Sequence, residues 1–225
     1  MSDSAIRVPA EQGYVRRVLF AVEIVDAVTL VPVTEGIGVS ATGLSRRPVV
    51  NRSGLHVFLD EGKAQPGEIV VITRGTPYES VTVPAPVPPA RRRRIELAPR
   101  SGYPFVAGVT AMRGVLIESY AGERTPIGRA AVGLQWLEPI EHGGDAADPL
   151  WRDPGLRSHS DDGGDFAAIL RLRPAETPER AKDGALRVRL CVARDGTVRT
   201  SREFPLWQGR VADALPPFAW DELAP

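Results

Sequence analysis

The side chains able to do chemistry in this chain are few and scattered. The histidines are His56, His142 and His159, and Cys191 is the single thiol. A nucleophilic serine needs a base within hydrogen-bond reach and an exposed setting such as a Gly-x-Ser-x-Gly elbow. The sequence has no such elbow, and no base pairs by spacing with any of its serines. Cys191 alternates onto the same strand face as Arg187 and Arg189, which reads as a small, partly covered residue and not an activated thiolate. His-Glu-x-x-His and paired Cys-x-x-Cys patterns are absent, so zinc has no basis in the sequence. The expectation is a non-enzymatic protein with no catalytic residue, no cofactor and no bound metal.

Calcium is the sharpest metal alternative. Asp161, Asp162 and Asp165 crowd one turn, and Asp145, Asp148 and Asp153 lie in the acidic stretch before it. Carboxylates at a tight turn can collect the oxygen ligands that a hard cation takes. The spacing lacks the terminal glutamate of the calcium loop, however, and an ordinary turn uses Asp and Gly for local hydrogen bonds and positive φ. The turn reading is preferred.

Arg91, Arg92, Arg93 and Arg94 form the one dense charge run. Neighbours on a strand point to opposite faces, so the four cannot line one side of a groove, and no interleaved aromatics offer a stacking platform for bases. They read as a solvated linker that keeps an interdomain edge from pairing, with docking to an acidic partner as the alternative. Trp136 shares a face with Val132 and Leu134, which core filling explains. Trp151, beside Leu150 in an Asp/Pro/Gly-rich loop, is either an aromatic anchor for a partner or a plug over the sandwich end. Leu150, Trp151 and the arginines 91 to 94 are thus the partner-binding candidates. Asn51-Arg52-Ser53 is a glycosylation sequon by pattern, which a cytoplasmic chain would not use.

These residues must be held by strands. Among 225 residues, 22 are glycine and 21 proline, spread as punctuation between runs rich in Val, Leu and Ile. Lys plus Arg and Asp plus Glu are both 28, so net charge argues for neither nucleic acid nor a membrane surface. No apolar run is long enough to span a bilayer as a helix. Met1 to Gln12 lacks the basic and apolar regions of a signal peptide, and one cysteine cannot make an intramolecular disulfide. The cytoplasm is the expected compartment, within an assembled particle as a further case.

The first strand is expected over Arg17 to Val25, with Val18, Phe20, Val22 and Ile24 on one face. Further strands are expected at Gly36 to Ala41, Leu55 to Leu59, Glu68 to Thr73 and Glu79 to Val83. Pro84 to Pro89 should be extended, and Pro99 to Pro104 marks the domain boundary. Beyond it come Val106 to Ser119 as one long strand, with Gly108 and Gly114 as bulge sites, then Thr125 to Leu137 and the insertion Glu138 to Leu156. Phe166 to Leu172, Leu186 to Val192 and Thr197 to Phe204 complete the set, with Asp195-Gly196 a strong hairpin signal.

The two halves match each other weakly but in the same order. Pro32-Val33 aligns with Pro126-Ile127, Gly36 to Val39 with Ala131 to Leu134, Ser53-Gly54-Leu55 with Gly164-Asp165-Phe166, and Glu68 to Ile72 with Ala185 to Leu190. The expected domains are 14–99 and 104–208, followed by a docked tail, 209–225.

Thr-Pro-Ile-Gly-x-Ala-x-Val-x-Leu from Thr125, then Ser-Asp-Asp-Gly-Gly-Asp-Phe from Ser160, then the alternating strand from Leu186 resemble the carboxypeptidase regulatory-like domain. The match covers Val106 to Phe204 well and Val18 to Leu97 loosely. The resemblance implies an all-β fold of two tandem transthyretin-like or Ig-like antiparallel β-sandwiches, and an accessory or docking role without catalysis. The layout also resembles small proteins of phage-tail-like contractile assemblies. The expected function is a structural or adaptor protein making protein–protein contacts in such an assembly, with no nucleic-acid or membrane partner. The alternative is a carbohydrate- or peptide-binding accessory module.

Overall fold

The structure is a computed structural model in which residues 17–60, 62, 65–87, 90–120, 122–139, 150–214 and 216–225 are described. The first half of the chain forms β1 (Val18–Asp26), β2 (Gly38–Ala41), β3 (Val49–Val50), β4 (His56–Leu59), β5 (Glu68–Ile72), β6 (Val81–Pro84) and β7 (Arg92–Leu97). The second half forms β8 (Ala111–Tyr120), β9 (Glu123–Pro126), β10 (Ala131–Leu137), β11 (Trp151–Arg152), β12 (Ser158–His159), β13 (Asp165–Ile169) and β14 (Leu186–Arg194). It ends with β15 (Thr197–Thr200), β16 (Phe204–Leu206), β17 (Val211–Asp213), β18 (Phe218–Ala219) and a 3-10 turn at Trp220–Glu222. Strand, isolated bridges included, accounts for 47% of the described residues, and no α-helix occurs among them.

Alternation in the sequence becomes alternation in burial. On β1, Phe20, Val22 and Ile24 are buried while Leu19, Ala21 and Glu23 are half-buried. Asp195 and Gly196 have φ of 49° and 78°, the paired positive values that a tight two-residue hairpin needs, and Arg194 pairs with Thr197 across them.

The sheets repeat one plan. β1 runs antiparallel to β4 and parallel to β7; β8 runs antiparallel to β13 and parallel to β17. β2 pairs antiparallel with β5, and β10 with β14. The segments that match in sequence therefore fall on β2 and β10, on β5 and β14, and at the entrances of β4 and β13. Two hydrophobic clusters follow the same division. Phe20, Val22, Ile24, Phe58 and Ile95 meet Val39, Ile69 and Val71 of the facing strands in the first. Leu116 and Phe166 meet Val132, Leu134, Trp136, Leu186, Val188 and Leu190 in the second.

Four expectations are corrected. Arg91 to Arg94 is not a linker: Arg92 onward is β7, an edge strand beside β1. Arg93 shares a face with Ile95 and Leu97 and escapes burial of its charge by donating to the Pro84 carbonyl at 2.8 Å. The strand drawn from Val106 begins only at Ala111, and Gly114 is no bulge, because the β8–β13 register runs unbroken past it. Gly114 instead makes room for the Phe166 ring, whose Cζ would lie 2.6 Å from an added Cβ. Thr125 to Leu137 breaks into β9, on β8, and β10, on β14; the switch at Ile127–Ala130 carries Arg129 at φ 61°. Within 209–225, β17 and β18 both pair with β8.

Candidate functional site

A heavily bonded buried carboxylate lies where the two halves meet. Asp26 ends β1 and is only 4% exposed. Its Oδ1 accepts the Val28 N–H at 2.6 Å, and its Oδ2 accepts the hydroxyls of Tyr78, at 3.2 Å, and of Tyr103. Burial, then the adjacent carboxylate, pushes the Tyr78 phenol up to about 12; Tyr103 is pushed up further, by burial and then by its hydrogen bond to Asp26. Both phenols stay protonated donors at neutral pH, and their bonds to Asp26 fix the geometry of the junction. Arg113 of β8 donates to the Tyr103 carbonyl at 2.7 Å and lies over the Phe105 ring. Arg171 donates to the Ala27 carbonyl at 2.9 Å and pairs with Glu96 at 2.8 Å. The segment expected as the domain boundary, 99–104, is itself packed, with Tyr103 4% exposed. Asp26, Tyr78 and Tyr103 carried no motif. The only sign of them in the sequence is an aspartate closing a strand whose alternating positions are otherwise apolar.

A second bridge is titratable. Glu79 accepts both the backbone N–H and the ring Nδ1 of His159, each at 2.6 Å. Ser101 donates to Asp161 Oδ2 at 2.7 Å, while Asp161 Oδ1 accepts the N–H groups of Gly163 and Asp165. That carboxylate closes its own turn, as the turn reading expects. Among the described residues no group of three or more acidic, imidazole or thiol side chains is placed to hold a metal ion. An open cleft of about 950 Å³ runs alongside, lined by Thr76, Arg100, Arg129, His159 and Asp162 among others.

The histidines should give stability two opposed pH dependences. The hydrogen bond to Glu79 raises the His159 pKa. The bridge contribution is thus complete below about 6.5, the unfolded value, and is lost as pH rises through the higher folded value. Glu79→Gln should narrow the stability gap to wild type from about 0.5–1 kcal/mol at mildly acid pH towards zero at alkaline pH. His56, 4% exposed with Nε2 unpartnered, is shifted down by burial. Its unfolded form takes up a proton first, so stability falls as pH drops below about 6.5, and His56→Leu should flatten that limb. Chemical denaturation across this range checks both; a Glu79→Gln gap that widens with pH would refute the His159 assignment.

Trp151 pairs with Leu137 on β11 at the edge of the six-stranded sheet. It is half-buried, with the Arg189 guanidinium 4.5 Å from its ring centre, and Leu150 beside it is 50% exposed. Arg152 pairs with Glu138 at 2.8 Å, tying the two feet of the excursion together. Behind it Arg157 pairs with Asp153 and crosses Gly133, with Nη2 3.8 Å from the Cys191 sulfur. Cys191 is 3% exposed, deeper than its strand face implies, because this segment covers it; burial raises its pKa, which disfavours the reactive thiolate. His142, Asp145 and Asp148 lie outside the described residues.

Trp151 and the arginines of β7 are not brought together: one lies on the sheet of β10, the others on the sheet of β1. Arg92 and Arg94 both bond Glu23 Oε2, at 3.1 and 3.0 Å, and Arg91 is exposed just ahead of them. A groove of about 770 Å³ with a mixed lining also opens beside β16, with Met112, Phe204 and Leu223 alongside Arg202, Glu203 and Glu222. No family model matches the chain, and no curated protein does.

Proposed function

We propose that this chain is an adaptor: two transthyretin-like β-sandwich units in tandem that hold a protein partner within a larger assembly. The phage-tail-like contractile particle is the assembly that the sequence resemblance points to. The repeated strand pairing and the separate core clusters support the tandem reading. The Asp26 junction supports a body whose two units present their surfaces in fixed relation.

The observation that carries the binding role is the Leu150–Trp151 rim. A half-buried tryptophan braced by an arginine, with an exposed leucine beside it, is the residue chemistry of interface hot spots. Binding loops commonly sit on rigid sheet scaffolds. Trp151→Ala removes a cation–π contact of about 0.5–1 kcal/mol, so the variant should melt close to wild type. Partner capture or particle assembly should weaken by about 2 kcal/mol or more. Intact capture with a collapsed melting temperature would assign Trp151 to packing and remove the rim as the interaction site. Specific retention on a glycan array, abolished by the same substitution, would favour the carbohydrate-binding alternative.

A further inference from the structure

We propose that the outward face of the β3–β4–β1–β7 sheet is a second docking surface, and that its partner is an acidic protein segment carrying apolar side chains. The register sets one row across this face: Val49 pairs with Val57, Val57 with Ala21, and Ala21 with Arg92. Val49 is 53% exposed, and Val57 and Ala21 are half-buried with no further layer over them among the described residues. The opposite face holds Phe20 and Phe58, stacked inward with ring centres 4.6 Å apart, so this row is not the side that the core needs.

The next row along β1 and β7 gives the partner its charge. Glu23 pairs with Arg94 in register, and its Oε2 accepts from both Arg92 and Arg94. Those guanidinium side chains remain 62% and 51% exposed, whereas the glutamate is 18% exposed. Two cations thus share one carboxylate oxygen, and their remaining N–H groups have no partner among the described residues. Arginine forks of this kind take a further carboxylate in bidentate fashion. Val57 and Val49, two and three strands along the same face, offer the apolar contacts that a partner carrying both acidic and apolar side chains would use. Bases would find no aromatic ring to stack on across this face, so the chemistry favours an acidic, apolar polypeptide over a nucleic acid. This surface belongs to the first half of the chain and does not rest on the Trp151 reading.

The test titrates the full chain at low salt with a fluorescent synthetic peptide alternating Glu with Leu and Val. A peptide with Lys for Glu, a single-stranded oligonucleotide and phosphatidylserine-containing vesicles serve as the other probes. The acidic peptide should bind about tenfold tighter than its lysine analogue, and Arg92→Glu/Arg94→Glu and Val49→Asp should each weaken it by about tenfold or more. Trp151→Ala should leave this affinity unchanged, which separates the two surfaces. If the charge-reversed double variant melts early, Arg92→Gln/Arg94→Gln removes the charge while keeping a donor to Glu23. Equal binding of both peptides, or of the acidic peptide by the variants, would overturn the proposal. So would an oligonucleotide or vesicles bound as tightly as the acidic peptide, or a dimer in sedimentation that Val49→Asp dissociates.

Discussion

Gly164→Ala should lower the stability of the protein by about 3–4 kcal/mol, through a left-handed backbone costing about 1–2 and overpacking costing about 1–3. Gly164 sits at φ 81°, at the entrance to β13, with its carbonyl accepting the Leu116 N–H at 2.9 Å. A Cβ there would press on the Leu116 carbonyl oxygen well inside contact distance, and on the Ile127 nitrogen and Pro126 Cβ at 3.3 Å each. Backbone on both sides leaves no flexible neighbour to give way. A drop in melting temperature of roughly 10 °C would correspond to such a loss in a chain of this size. Gly163→Ala is the control. Its Cβ would meet only the side chains of Asp165 and Asp161, at 3.0 and 3.3 Å, which can turn aside. It should cost less than about 1 kcal/mol, as surface substitutions do. Similar losses at both positions would mean that the turn tolerates strain and that the β8–β13 register is held elsewhere.

What could be read from the sequence was the part governed by local pattern. Alternation along Val18 to Ile24 and along Leu186 to Val192 placed β1 and β14, because period-two burial leaves a period-two signature. Asp195-Gly196 announced its hairpin because the turn demands positive φ at both residues. The order of matched segments between the halves anticipated a repeated pairing plan that the sheets do carry. Non-local geometry left no such trace. Arg91 to Arg94 read as a linker because charge dominates composition there; one glutamate on the neighbouring strand and one proline carbonyl make the run tolerable as β7. Gly114 read as a bulge because glycine in a strand signals either a bulge or a close approach, and only the position of Phe166 decides between them. At the candidate sites, Trp151 could be singled out by its setting, but its Arg189 partner lies 38 positions away and shares no motif with it. Asp26 was missed because its partners come from Tyr78 and Tyr103, at separations of 52 and 77 residues.

That separation makes Asp26 the residue whose loss should most change how the two halves behave together. Asp26→Ala would leave the hydroxyls of Tyr78 and Tyr103 and the Val28 N–H without their acceptor, in a place that is 4% exposed. Each of these three buried donors left unsatisfied costs about 1–3 kcal/mol, and because they are close enough to relax together the whole loss should sit at the low end of their sum, about 3–5 kcal/mol. Tyr103→Phe removes one donor and leaves the carboxylate with its others, so it should cost about 1.5–3 kcal/mol, the range for a hydrogen bond to a charged group. A double-mutant cycle between the two positions should show strong coupling. The same cluster predicts an alkaline limb. With the folded phenols shifted above the ordinary value near 10, the unfolded chain gives up its protons first, so stability falls from about pH 10 through the folded value near 12 for Tyr78. Tyr103→Phe should shorten that limb. Calorimetry gives the structural readout: Asp26→Ala should split one unfolding transition into two, because each half retains its own apolar cluster while their main buried polar tie is gone. A single transition displaced by less than about 1 kcal/mol would place the coupling instead in the Arg171–Glu96 and His159–Glu79 bridges, which surface ion-pair energetics would then have to explain.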